Sequence, residues 1–471
     1  MVEKNGKNND SLWKKIINEL FQPFVDLFHT SRALFGLNLS YVLEGLTYFG
    51  VVGLLAIFFN EFIGLDDIKA GQMVGFLTAG ITLAMLFLGA TVDWVGVRKA
   101  MLISLSFMLI GRILLSVSPA IGVPGLWQSA HWIAILGIVG IIIGYGIYQP
   151  AAYAGVKKFT SAKTSAMGYA MLYALMNLGG FLPGLISPPL RRAFTITGVF
   201  WVYVILTIAG MIVVAVIITK KAEKQAAERA IEEDKALGNP VIDDEDELSG
   251  MTLKEKATFY FRNFPLRDMR FLYFIFILIP VQTLFAHNWL TLPQYTSRAF
   301  DGFVSDNFEF FVNLNPILIF ILTPIVTAFT ARKNTYKMMI VGTFIMGFPT
   351  FILAFGPNIY TLMIYLIIMT IGEAMWQPRF LQWVAEIAPK NMTGIYMGIG
   401  QFPWFLTKVI TALYSGWFLM KYCPADTPPS EMNTEMMWLI YGFIAISSSF
   451  GLIVARKWML KGFKIKHESN K

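Results

Sequence analysis

Residues 89–99 read Gly89-Ala-Thr-Val-Asp93-Trp-Val-Gly96-Val-Arg98-Lys99, a short polar turn between two long apolar runs. Its glycines permit a tight reversal and close helix approach. Asp93 is placed to cap a neighbouring helix, and Arg98 and Lys99 mark the cytoplasmic side, where Lys and Arg collect in membrane proteins. The flanking runs, 70–92 and 98–119, are each long enough to cross a hydrocarbon core as helices, which takes about 20 apolar residues. Two membrane spans joined by a charged inner turn is the unit from which the rest of the chain is read.

Ten more runs of that kind follow by the same criterion: 37–61, 131–156, 164–189, 196–219, 268–296, 309–331, 336–356, 359–387, 393–420 and 434–456. The composition agrees, with 56% hydrophobic residues, only 14% charged, and 40 Phe, 18 Tyr and 12 Trp. A soluble chain carries about 25% charged residues. Soluble enzymes, disordered chains and nucleic-acid modules are excluded, and the net charge of +8 reads as cytoplasmic loop charge. Cys423 stands alone, so no internal disulfide forms. With the N-terminus in the cytoplasm, the outside receives only Lys69, Arg191, Arg192, Arg298 and Lys421, while Arg112, Arg379 and Lys408 fall inside spans. The Arg191–Arg192 pair is the one awkward assignment, and both termini are expected in the cytoplasm.

The expected division is a cytoplasmic segment 1–36, a six-helix bundle 37–219, a charged linker 220–267, a second bundle 268–456 and a basic tail 457–471. The first half of the linker has helical composition and is expected to extend the sixth helix or lie along the membrane surface. Its acidic run Asp243–Glu247 reads as solvated linker. Two six-helix halves around a linker is a layout of transporters built from repeats. There is no P-loop, no zinc-spaced Cys/His set, no H-E-x-x-H and no Gly-x-Ser-x-Gly elbow. No cofactor or metal is expected, and uphill transport would draw on an ion gradient.

The 89–99 turn resembles the G-x-x-x-D-(R/K)-x-G-x-(R/K)-(R/K) loop of the major facilitator superfamily, with Trp94 at the first basic position. Three further stretches resemble its proton-dependent oligopeptide transporter family. Glu44-Gly-Leu-Thr-Tyr48-Phe49-Gly50 is similar to the second half of E-x-x-E-R-F-x-Y-Y-G. Gly144-Tyr-Gly146-Ile-Tyr-Gln149-Pro150, then Tyr173-Ala-Leu-Met-Asn177-Leu-Gly179, is similar to G-x-G-x-x-K-P and Y-x-x-x-N-L-G. Asn315-Pro316, Gly372-Glu373, Pro378, Ala388-Pro389-Lys390 and Met397-Gly398 follow the family's order. Tyr41 stands at the first motif glutamate, Gly45 at the arginine and Gln149 at the lysine. In the family those groups are associated with proton coupling and with a peptide's carboxylate. The resemblance implies an all-α membrane protein of twelve transmembrane helices in two six-helix bundles. It also implies a small-molecule substrate, with Gln149 and Asn177 near it, and a proton as partner. A monomer in the cell (inner) membrane, with no nucleic-acid partner, is expected.

An ionisable side chain at bilayer depth costs at least about 2.5–3.5 kcal/mol, so each needs a reason. Glu44 shares a helix face with Tyr41 and Tyr48. It is either a protonatable cavity carboxyl or a structural one bonded to a neighbouring helix. Glu373, with Trp376 and Gln377 at i+3 and i+4 and Pro378 just beyond, is the first candidate for a substrate's ammonium, to which Trp376 would add a cation–π face. The alternative is an ion pair with Lys408 or Arg379. Lys408 is expected either to pair with Glu373 or to meet a substrate anion. Arg379, about 9 Å along the helix from Glu373, is expected to join a cytoplasmic gate with Glu386. Asp93 and Arg98 are expected to serve conformational change. His287 either lines the cavity or is a satisfied packing residue; Arg112 and His131 read as structural. The expectation is a proton-coupled carrier of a small polar or zwitterionic solute, di- or tripeptide-like first. The alternatives are a uniporter or a non-peptide carrier of the same fold, or a membrane sensor.

Overall fold

The computed structural model describes residues 31–89, 91–236, 267–330, 333–387, 399–400 and 402–460. The Ala388-Pro389-Lys390 and Met397-Gly398 motifs, most of the linker, both chain ends and the side chains of Asp93 and Glu386 lie outside the described residues. Every described element is helical.

The first half holds α1 (Arg32–Glu61), α2 (Asp67–Leu88), α3 (Thr91–Val95), α4 (Val97–Ile121), α5 (Ser129–Phe159) and α6 (Ala162–Ile217). Asp66 starts α2 by accepting from the Lys69 N–H at 2.7 Å, which satisfies a donor that the helix leaves open. The fifth and sixth expected spans are two helices that meet at a kink, given together as α6. Their junction is Thr195, at φ 61°, a left-handed conformation that a β-branched residue seldom adopts. Nine helices among the described residues are long and apolar enough to cross a membrane.

The linker begins with α7 (Lys220–Ala236). It is not a continuation of α6, because the Thr219 hydroxyl accepts from the Ala222 N–H and starts a new helix. Ala222, Ala226 and Ala230 are buried at four-residue spacing, and Lys158 of α5 pairs with Glu223 at 2.9 Å.

The second half is more broken. The seventh expected span is three helices, α8 (Met269–Ile277), α9 (Ile279–Leu290) and α10 (Leu292–Ala299). Pro280 denies α9 a ladder bond near its start, and the next N–H, of Val281, donates to Ser448 Oγ at 2.9 Å instead. Short turns α11 (Phe303–Asp306) and α12 (Phe308–Val312) lead to α13 (Leu314–Thr330) and α14 (Thr335–Gly347). A 3₁₀ segment, Phe348–Phe355, ends the ninth span at Pro349. Then come α15 (Ile359–Ile387), α16 (Phe402–Tyr422) and α17 (Thr434–Leu460).

The chain packs as two compact units. One takes the described residues of Met1–Val241, His287–Pro324 and Val409–Asn433, and the other those of Ile242–Ala286, Ile325–Lys408 and Thr434–Lys471. In the first, α1 forms the centre, with Leu37, Val52, Leu55, Phe58 and Phe59 buried. A Cβ on Gly179 of α6 would stand 2.8 Å from the Val42 carbonyl oxygen of α1, so only glycine lets these backbones cross. In the second, a Cβ on Gly372 of α15 would stand 2.2 Å from the Met346 nitrogen of α14, the same device.

Candidate functional site

Gly45 faces the Gly179 crossing, and a Cβ added to it would make ordinary contact, 3.4 Å from the Gly179 Cα. The positive charge beside Glu44 comes from α4. Arg112 grips Glu44 with both terminal nitrogens, Nη1 to Oε2 at 2.9 Å and Nη2 to Oε1. Nη1 also donates to Thr207 Oγ1 at 2.6 Å, and Thr47 Oγ1 donates to Glu44 Oε2 at 3.2 Å. Both charged side chains are 2% exposed. The pairing joins α1, α4 and α6 and places Glu44 in the bonded reading.

Around this pair stand the other first-half candidates. Tyr41 stacks on Tyr148 at 6.0 Å, and Tyr48 lies 4.6 Å from Tyr145. Tyr145 and Tyr148 are within electrostatic reach of Glu44. Ser40 and Tyr148 share a hydrogen bond of 2.8 Å. Gln149 donates to the Tyr153 hydroxyl at 3.2 Å, and Tyr41 interacts with both. Asn177 is half-buried on α6, two residues before the Gly179 crossing. Arg98 donates to the Ala215 carbonyl at 3.3 Å, in the last turn of α6, where a cation meets the negative end of the helix.

In the second half, Glu373 is buried near the middle of α15, with Tyr365 within its electrostatic reach. Trp376 is 1% exposed, and its indole N–H donates to Met346 Sδ at 3.1 Å. Its ring is held in packing against α14, so the cation–π reading gives way to a structural one. Gln377 is half-buried one residue further on. Arg379 donates to the Thr330 carbonyl at 2.7 Å and so caps the C-terminus of α13. Lys408 is half-buried on α16, beside Thr407, which donates to Gln282 Oε1 at 3.1 Å. His287 has both ring nitrogens engaged, Nδ1 with Thr291 Oγ1 at 2.7 Å and Nε2 with Tyr414 at 3.0 Å. Both nitrogens of this buried ring are thus bonded within the fold.

A second set of ion pairs went unread in the sequence. Arg298, just after the seventh span, meets Asp67 at the start of α2 through two bonds of 2.7 Å and donates to the Cys423 carbonyl at 3.1 Å. Burial works against the Arg298 charge, and the hydrogen bond and charge of Asp67 outweigh it, so its pKa is raised. Arg191 holds Glu309 through two nitrogens, Nη2 to Oε2 at 3.2 Å, and also bonds the Asp306 carbonyl. Arg192 donates to Asn307 at 3.0 Å, and Gln294 to Asn60 at 2.6 Å. Arg191 and Arg192, the awkward pair of the sequence, therefore both have partners. Arg112 was recoverable from charge balance, since Glu44 is the one first-half carboxylate at its depth. The outer pairs had no signal in spacing, because each partner lies over a hundred residues away.

Residues 37–412 match the family model of the Major Facilitator Superfamily. The chain belongs to the major facilitator superfamily. Its fold is also that of solved peptide transporters. A crystal structure of the peptide transporter POT in complex with sulfate aligns at TM-score 0.68 and 17% identity, covering 91% of this chain and 95% of that one. A POT family transporter in complex with 5-aminolevulinic acid aligns at 0.65 and 17% identity, covering 91% and 97%. A structure concerning substrate recognition in proton dependent oligopeptide transporters aligns at 0.67 and 16% identity, covering 91% and 99%. No curated protein matches in sequence. This superfamily member is thus a multi-pass membrane transporter whose fold is shared with peptide transporters.

Proposed function

We propose that this transporter carries a small zwitterionic solute, di- or tripeptide-like first, coupled to protons and moved by alternating access between the halves 37–219 and 268–456. The observation that carries the reading is Glu373, a carboxylate 4% exposed in the middle of α15. A buried acid of this kind needs either a cation or a proton. A substrate ammonium supplies the first and coupling supplies the second. Glu44 is held by Arg112 through two bonds, and in this reading Glu373 carries the proton. Lys408, in the same compact unit, takes the solute's carboxylate. The protein acts as a monomer in the cell (inner) membrane with both termini in the cytoplasm.

The bonded state of Glu44 favours one rival, a uniporter, because it removes one of two acids that coupling would use. Uptake of dialanine into proteoliposomes with an inward proton gradient decides between them. Coupled transport gives accumulation that collapses when an ionophore dissipates the gradient. Uptake that ignores pH and ionophore shows a uniporter, and no uptake of any dipeptide ends the peptide reading.

A further inference from the structure

Gln282 lies in the first turn of α9, directly after the break between α8 and α9 and two residues beyond Pro280. It is 1% exposed. Its oxygen accepts from Thr407 Oγ1 at 3.1 Å. Its nitrogen, with two N–H donors, has no hydrogen-bond partner among the described residues. Burying an amide donor without an acceptor costs roughly 1–3 kcal/mol, so a protein that keeps one either wastes stability or presents the donor to something that comes and goes. The neighbours favour the second. A helix broken at membrane depth is tolerated where it lines a path, and Thr407, which bonds the amide, precedes Lys408 on α16.

We infer that the Gln282 amide is a specificity-determining donor for a neutral carbonyl oxygen of the solute, the peptide carbonyl of a dipeptide. The inference rests on the transport reading above and adds to it the group that reads the middle of the solute. A neutral donor suits a neutral acceptor, and Lys408 takes the charged end. Such a donor discriminates strongly, because a solute lacking the oxygen leaves the amide buried and unbonded in the complex as well. Thr407 acts as a positioning residue, since its hydroxyl bonds the amide oxygen.

The test uses the full chain in detergent, with thermal unfolding for the free protein and calorimetry for binding. The probes are dialanine and its analogue with sulfur in place of the peptide oxygen, a poorer acceptor of similar shape. Wild type is expected to bind dialanine at least about tenfold more tightly than the analogue. Gln282→Met is expected to bind both alike, while the free protein melts at the same temperature or higher. Loss of an idle buried donor does not destabilise; loss of a structural one does. If Gln282→Met does not fold, Gln282→Asn, which falls one methylene short, is read in the same way. A melting temperature lowered by several degrees, or a preference for dialanine that survives the substitution, overturns the inference. If wild type binds neither probe, the peptide reading fails. The melting comparison then still decides whether Gln282 holds an idle donor, with a fall overturning it and a rise or no change upholding it.

Discussion

Two carboxylate–arginine pairs in the first compact unit have nearly the same bonds and very different surroundings. Glu44 and Arg112 are each 2% exposed, joined by two bonds and backed by Thr47 and Thr207. Asp67 and Arg298 are also joined by two bonds, yet they are 7% and 11% exposed and sit where α2 begins and the seventh span has ended. The interior pair cannot open without leaving a bare charge in an apolar setting. The outer pair opens toward water. The same chemistry therefore gives a permanent strut in one place and a latch in the other. The latch reading also fits Arg191 with Glu309, which joins α6 to α12.

The comparison breaks most visibly at the strut. Arg112→Ala should destabilise the protein by about 3–5 kcal/mol, because Glu44 is left buried and unpaired. Replacing both partners by apolar residues, Glu44→Leu with Arg112→Met, should restore most of that loss. Thermal unfolding of purified protein measures both. A single variant as stable as wild type would mean that Glu44 has another partner or is neutral in the folded state.

The latch should give way more cheaply. Asp67→Asn keeps the shape and removes the charge, with an expected cost of about 1–3 kcal/mol. Cys423 supplies a natural reporter, since its backbone carbonyl bonds Arg298 and its side chain is fully buried. Burial pushes its thiol up to about 12, so at pH 8 the reactive thiolate is scarce and maleimide labelling of wild type should be slow. The pKa is raised, so labelling should quicken as pH climbs toward that value. In Asp67→Asn, labelling at pH 8 should run several-fold faster as the outer end opens to solvent. Equal rates would make the pair a second strut.

Most of the fold was legible, because spans of apolar residues are set by the bilayer itself. The breaks were not. Pro280 marks the interruption of the seventh span, but which donor rescues the freed N–H depended on Ser448, far along the chain. Among the candidate residues, Glu44 and Glu373 were singled out by the rule that buried charge needs a reason, and both are buried. Helical spacing put Trp376 on the face of Glu373, but it could not show that the ring packs beside Gly342 and bonds the Met346 sulfur. Gln282 was passed over because an amide in an apolar run carries no charge to flag it.

The central claim is that the first-half pair holds the structure while the second-half carboxylate meets the solute. Calorimetry with dialanine on two proteins tests it most directly, the Glu373→Gln variant and the Glu44→Leu, Arg112→Met double variant. The account predicts that binding is lost, or weakened at least about a hundredfold, in the first and kept within a few-fold in the second. Binding kept in Glu373→Gln and lost in a folded double variant would move the site to the first half and contradict it.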